Sequence, residues 1–296
     1  MLQNLSDQVK GSMYICLSAL VYATLPILTK FAYSAGLQPD NILLIRYIFT
    51  FIILSLYLRL IKGKSILNKS PLAIIQGILM ITQGLLFFYA LCYLSAGLAI
   101  VIFFSHPILV AVAALPLFKE KLNLNLVLGL LLAITGVVLI TGLTSGTINL
   151  SPRGLLLIIL CSVCYTIYSL IAQMNVSRIS PLTLTNTFAL IAIIVLSVLY
   201  RDFSFVYSLN LEQLTIGFAM AILNTVLSVV LFLKGVQKIG ASRATLISTL
   251  EPVFTLLLAF LLLGEIFSPL ELFGSLLVLI SMFLAVSSQP RGTEHI

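Results

Sequence analysis

The sequence predicts an all-α integral membrane protein with ten transmembrane helices arranged as two inverted five-helix repeats. Composition, the spacing of the apolar runs and a self-match between the two halves predict it. Of 296 residues, 60% are apolar and 8% are charged, and the mean hydropathy is +1.19. A soluble domain carries roughly a quarter charged residues, so this surface suits lipid rather than water. Backbone polar groups in hydrocarbon must be satisfied internally, which leaves helices or a closed barrel. The apolar runs are too long for barrel strands, and each approaches the ~20 residues a spanning helix needs.

The runs fall at 11–34, 41–61, 72–93, 97–118, 125–143, 154–175, 181–200, 213–236, 241–263 and 270–288. Turn signals separate them: Gln38-Pro39-Asp40, Lys62-Gly63-Lys64, Ser70-Pro71, Lys119-Glu120-Lys121, Ser151-Pro152-Arg153, Ser180-Pro181 and Ser268-Pro269. The first run is too long for a signal-peptide core and lacks a cleavage site, so it reads as a retained helix. Cys16, Cys92, Cys161 and Cys164 all lie in apolar runs and read as small buried residues. The redox-like spacing of Cys161 and Cys164 sits at lipid depth and is given no redox role.

The basic residues set the orientation. With the N-terminus in the cytoplasm, the cytoplasmic segments hold Lys10, Arg59, Lys62, Lys64, Lys69, Lys119, Lys121, Arg178, Lys234, Lys238, Arg243 and Arg291. The outer segments hold Lys30, Arg153 and Arg201, and Arg46 lies inside a run. That bias predicts a bacterial inner-membrane protein with both termini cytoplasmic. The same pattern explains the net charge of +7 without nucleic acid.

The halves align on each other. At an offset of 145, Pro107 meets Pro252, Glu120 meets Glu265, Gly129 meets Gly274 and His106 meets Glu251. At 143, Gly11 meets Gly154 and Tyr22 meets Tyr165; at 142, Pro39 meets Pro181. The units are 11–143 and 154–288. Five helices per unit turn the second upside down relative to the first, as in many secondary transporters. One chain then holds both halves, which predicts a functional monomer.

The repeat segments resemble a known family. Leu94–Gly97, His106-Pro107, Lys119-Glu120-Lys121 and Gly129 to Gly136 are similar to a first EamA repeat. Ile239-Gly240-Ala241-Ser242-Arg243-Ala244, Glu251-Pro252, Leu263-Gly264-Glu265 and Gly274 are similar to a second, and Arg46-Tyr47 fits as well. EamA proteins belong to the drug/metabolite transporter superfamily. The resemblance implies ten helices, an inverted repeat and movement of metabolites, often export of amino acids or related compounds. His106 in place of a Glu, and Ser95 in place of a Gly, depart from the fuller second repeat and leave the substrate open.

Several polar residues lie at lipid depth, where a charge costs roughly 2.5–3.5 kcal/mol on translocon scales. Glu251, next to the hinge proline Pro252, reads as a substrate-ammonium or proton site, or as a structural partner of Arg46. His106, before the hinge proline Pro107, reads as a proton site or a neutral hydrogen-bonded side chain. Arg46 reads as a carboxylate clamp or a gate ion pair. Tyr22, Tyr165 and Tyr168 read as cavity aromatics able to stack a solute, or as packing. Gln83, Asn186 and Asn224 either face the cavity or bridge helices. Lys30 reads as a headgroup contact. Glu120 and Glu265 read as helix-end caps or inter-repeat pairs, and Gly129, Gly136 and Gly274 as close-packing positions.

A His-Glu pair is too few ligands for a metal site. No phosphate loop, nucleophile triad or zinc-protease motif is present. The sequence therefore predicts a secondary carrier with a small-molecule substrate and no cofactor. An intramembrane acid–base enzyme using His106 and Glu251, and a non-transporting assembly factor, are the competing readings. Proton coupling is left open.

Overall fold

A computed structural model describes residues 6–63, 65–94, 96–119, 123–141, 151–200, 204–263 and 268–287. Glu120, Glu265 and Ser95 lie outside the described residues. The helices are α1 (Asp7–Tyr22), α2 (Leu25–Ser34), α3 (Pro39–Leu56), α4 (Pro71–Leu91), α5 (Ala96–Phe103), α6 (His106–Phe118) and α7 (Leu124–Ile140). There follow α8 (Pro152–Asn175), α9 (Pro181–Tyr200), α10 (Leu211–Met220), α11 (Ser228–Ser248), α12 (Glu251–Leu263) and α13 (Pro269–Ser287). A π turn over Tyr57–Ile61 extends α3, and another over Ala221–Leu227 joins α10 to α11.

The chain is a multi-pass membrane protein. Among the described residues, eight helical runs are long and apolar enough to cross a membrane, and two more apolar helices are shorter. Ser-Pro pairs start α4 and α8: Ser70 and Ser151 accept backbone N–H bonds from Ala73 and Gly154 at 3.3 and 3.5 Å, while Pro71 and Pro152 fill first-turn positions that need no donor.

Three runs drawn as single helices from sequence are interrupted. The first breaks at Ala23-Thr24 between α1 and α2, the fourth at Phe104-Ser105 between α5 and α6, and the ninth at Thr249-Leu250 before α12. Each following helix carries a proline at its second position: Pro26, Pro107 and Pro252. Proline cannot donate to the preceding turn and its ring crowds it, so a break is favoured there. The freed carbonyls are satisfied locally, as hydrocarbon demands. Ser162 donates to the carbonyls of Ile102 and Phe103 at 3.1 and 3.2 Å.

Helix α11 is interrupted at Gly240, whose φ of 78° and ψ of 167° are not helical. A side chain there is strained by about 1–3 kcal/mol. Gly240→Ala is expected to lower thermal stability by that amount, measured as the loss of monodisperse protein on heating in detergent. Unchanged stability would show that the segment relaxes.

The helices pack in pairs: α7 on α13, α1 on α11, α4 on α8 and α3 on α9. Small residues set the spacing. A Cβ at Gly11 would lie 2.5 Å from the Ile239 side chain, and one at Gly154 would lie 2.6 Å from Leu94. The sequence offsets pair the residues of these two contacts, Gly11 with Gly154 and Ile239 with Leu94. Cys92, at the C-cap of α4, is exposed rather than buried, because the run ends there. All four cysteines are free.

Candidate functional site

The broken helices meet around a cavity of about 610 Å³. Of the ten positions singled out from the sequence, Glu251, His106, Arg46, Tyr22, Tyr165, Tyr168, Gln83 and Pro252 line it. Asn224 does not. Its amide instead donates to Thr24 Oγ1 at 3.0 Å and to the Val21 carbonyl at 3.3 Å, bridging the π turn to the break in the first run. Pro107 is buried behind His106. Asn186 is likewise a bridge, donating to Ser55 Oγ at 3.0 Å and the Ile66 carbonyl at 2.9 Å.

His106 and Glu251 are the first residues of α6 and α12. The breaks therefore bring both side chains, with two helix N-termini, to the cavity. His106 Nδ1 donates to the Phe103 carbonyl at 2.8 Å, the carbonyl being an acceptor only. Nε2 is buried and has no partner. The ring packs against Tyr165, Phe103 and Phe104 with centroids 4.4, 4.8 and 5.6 Å away. Tyr168 and Phe232 stack beyond, at 6.5 Å and 21°.

Arg46 is 5% exposed. Its Nη2 donates to the Tyr47 hydroxyl at 3.1 Å, and its guanidinium carbon lies 4.9 Å from the Tyr47 ring centre. Its Nε is buried without a partner. Glu251 is half-buried. Among the described residues its carboxylate has no hydrogen-bond or ion-pair partner. Arg46 and Glu251 thus share one cavity without pairing. The structural pair weighed for them from the sequence is not formed.

The lining includes Lys30 and Tyr33 near the C-terminal end of α2, both exposed, and Phe87 and Phe88 of α4. Lys30, read from sequence as a headgroup contact, is thus a lining residue. Toward the start of α1 the helices pack closely. A Cβ at Gly235 would lie 2.2 Å from Ile15, so α1 and α11 touch without a gap. Polar links add to this packing. Asn175 donates to Gln76 Oε1 at 2.8 Å, the Ala241 N–H to Gln173 Oε1 at 2.6 Å, and Gln237 to the Val176 carbonyl at 2.7 Å. Lys238 pairs with Asp7 at 2.5 Å.

Sequence reasoning missed Pro26, the aromatic set of Phe103, Phe104 and Phe232, and the bridging amides Gln76, Asn175 and Gln173. Pro26 was detectable, since it shares the other breaks' proline. The remainder are ordinary apolar or interfacial residues in the sequence, and packing alone brings them together.

The profile of the EamA-like transporter family matches residues 9–142 and 152–287. The chain is 32% identical over 213 residues to sll1319 of Synechocystis sp., which is named an uncharacterized transporter. That match covers 70% of this chain and 64% of sll1319, so it spans less than two thirds of that relative's length. YcbK of Bacillus subtilis, likewise named an uncharacterized transporter, is 25% identical with 90% of each chain covered. One crystal structure of a protein superposes with a TM-score of 0.81 over 93% of this chain and 96% of its own, at 19% identity, a likeness of fold. The two profile matches together span nearly the whole sequence: the chain belongs to the EamA-like transporter family, of the drug/metabolite transporter superfamily.

Proposed function

We propose that this membrane transporter is a secondary exporter of small zwitterionic metabolites, amino acids or close relatives, working by alternating access as a monomer. The observation that carries the reading is the unpaired opposite charge in one cavity. A lone buried charge is costly, and Arg46 and Glu251 do not relieve each other. A ligand with a carboxylate for Arg46 and an ammonium for Glu251 relieves both, while the aromatic wall of Tyr22, Tyr165 and Tyr168 takes its side chain. Glu251 also carries the coupling proton. Proton and substrate ammonium compete for one carboxylate and are therefore exchanged.

The architecture in this reading is ten helices in two inverted repeats, 11–143 and 154–288. Two features support it. The helix pairs map onto one another under the repeat offset, the α1–α11 pair onto α8–α4. His106 and Glu251, repeat-related, also start matching half-helices. Rocking one repeat against the other exposes the cavity to each side in turn.

The basic-residue bias supports an inner-membrane location with cytoplasmic termini, so Lys30 lies toward the outside in this reading. In a background with the four cysteines replaced by Ala, Lys30→Cys is expected to react with an impermeant maleimide added to intact spheroplasts. Lys238→Cys is expected to react only after permeabilisation. The reverse pattern would invert the topology.

Export itself is tested by profiling metabolites inside and outside cells that overproduce the wild type or Glu251→Gln at matched levels. One amino-acid-like class is expected to shift outward, chemically unaltered, with the wild type only. Profiles that both match empty cells would defeat the export reading, and a chemically altered product would favour the enzyme reading.

A further inference from the structure

The end of α3, the start of α4, the end of α8 and the start of α9 are tied together by hydrogen bonds. Asn186 of α9 donates to Ser55 Oγ in the last turn of α3 at 3.0 Å and to the Ile66 carbonyl at 2.9 Å. Thr183 donates to the Ser65 carbonyl at 3.3 Å, and the Asn68 N–H donates to Thr187 Oγ1 at 3.0 Å. The segment 65–70 is thereby clamped along the first turns of α9. Asn175 of α8 donates to Gln76 of α4 at 2.8 Å, which brings the turn between α8 and α9 beside the start of α4.

Four basic residues flank these bonds. Arg59 and Lys62 follow Ser55, Lys69 adjoins Asn68, and Arg178 stands between Asn175 and Thr183. All four are exposed, and among the described residues none has an ion-pair partner. Between Asp40 and Asp202 the sequence holds a single acidic residue, Glu120. A bias of basic residues toward one side of a membrane asks only for their number. Here charges from three separate segments converge without a counter-ion. The repeat-related connection between α9 and α10 is different, since Asp202 and Glu212 accompany Arg201 in and beside it. Duplication therefore does not account for the cluster.

The cluster also sits where lipid begins. Arg59 and Lys62 lie at the end of the spanning run Pro39–Ile61. Between them Leu60 and Ile61 are 74% and 69% exposed. Apolar side chains turned outward at that depth meet acyl chains, while the long cationic side chains beside them reach the headgroups.

We propose that Arg59, Lys62, Lys69 and Arg178 bind the phosphate of an anionic phospholipid whose acyl chains cover Leu60 and Ile61. Of the anions that four cations could attract, a phospholipid also supplies the apolar half of the match. Arg178 comes from the second half of the chain and the other three from the first, so the bound headgroup spans both halves.

The test uses purified full-length protein in uncharged detergent without substrate, so its outcome is independent of the exporter reading. Equilibrium binding of radiolabelled phosphatidylglycerol is measured with phosphatidylethanolamine and inorganic phosphate as competitors. The expected result is saturable binding that weakens as salt is raised and that neither competitor displaces at equal concentration. Each basic residue near an anionic lipid is worth about fivefold in affinity. Arg178→Gln is therefore expected to weaken binding by about that factor. The fourfold variant Arg59→Gln, Lys62→Gln, Lys69→Gln, Arg178→Gln is expected to weaken it more than about 100-fold, while still eluting as monodisperse protein. Arg153→Gln, which removes one charge from the start of α8, is expected to leave binding unchanged. Equal affinity for phosphatidylethanolamine, displacement by inorganic phosphate, or the same loss in Arg153→Gln as in Arg178→Gln would overturn the proposal.

Discussion

Glu251→Gln is expected to abolish transport while leaving the amount of folded protein in the membrane unchanged. Glutamine keeps the volume and the hydrogen-bonding reach of the side chain and removes only its charge. In the proposed mechanism that charge holds the substrate ammonium and the exchanged proton, so both binding and coupling fail together. A charge-assisted hydrogen bond contributes about 1.5–3 kcal/mol, which corresponds to roughly 10- to 150-fold weaker binding. Folding has no reason to suffer, because Glu251 stabilises no partner among the described residues and a lone charge at lipid depth is itself costly. Glu251→Asp, shorter by one methylene, is expected to retain part of the activity. Transport by the Gln variant at the wild-type rate and matched expression would remove Glu251 from the mechanism.

Gly274→Val is expected to disrupt the α7–α13 pair, the largest stability effect foreseen for a single surface-distant residue. A Cβ at Gly274 would lie 2.7 Å from the Gly136 carbonyl oxygen and 3.0 Å from the Ile140 nitrogen, and a Cβ at Gly136 would lie 2.6 Å from the Gly274 carbonyl oxygen. These are backbone atoms of two packed helices and cannot rotate away. Even one methyl must push the helices apart, at a cost of about 1–3 kcal/mol for overpacking, and valine adds two more. Close approach of this kind supplies much of the attraction between helices in lipid, where no hydrophobic drive joins them. Gly84→Ala is the control, because nothing lies within 4 Å of a Cβ there. Heating each variant in detergent and measuring the surviving monodisperse fraction separates the two. Equal survival of Gly274→Val and wild type would show that the helices part freely.

The parts of the fold that were legible in the sequence are those fixed by solvent and by period. Apolar runs and Ser-Pro starts placed α4, α8 and α9 within a residue or two, because lipid admits few alternatives. The repeat offset singles out His106 and Glu251, and both line the cavity. The breaks were read less well. Proline at 107 and 252 suggests kinks, yet the helices end and restart there. At the break before Pro107, His106 itself and Ser162 of α8 hydrogen-bond the freed carbonyls, and Ser162 has no signature near the proline. Asn224, readable from sequence as either a cavity residue or a bridge, is a bridge. A polar residue at lipid depth signals a need for partners but not where they are, and here they are Thr24 and Val21 across a helix interface. Arg46 and Glu251 were equally ambiguous, and only their placement in one cavity without mutual contact favours a ligand over a structural pair.

The central claim is that one cavity binds both ends of one zwitterion. Counterflow in proteoliposomes tests it most directly, with amino acids compared against the matching amines that lack the carboxylate and the matching acids that lack the ammonium. The account predicts saturable exchange of at least one amino acid by the wild type and weak exchange of either analogue. It also predicts that Glu251→Gln abolishes the exchange, and that Arg46→Gln loses the preference over the amine. Exchange of an amine or an acid as fast as the parent amino acid, unaffected by either substitution, would contradict it.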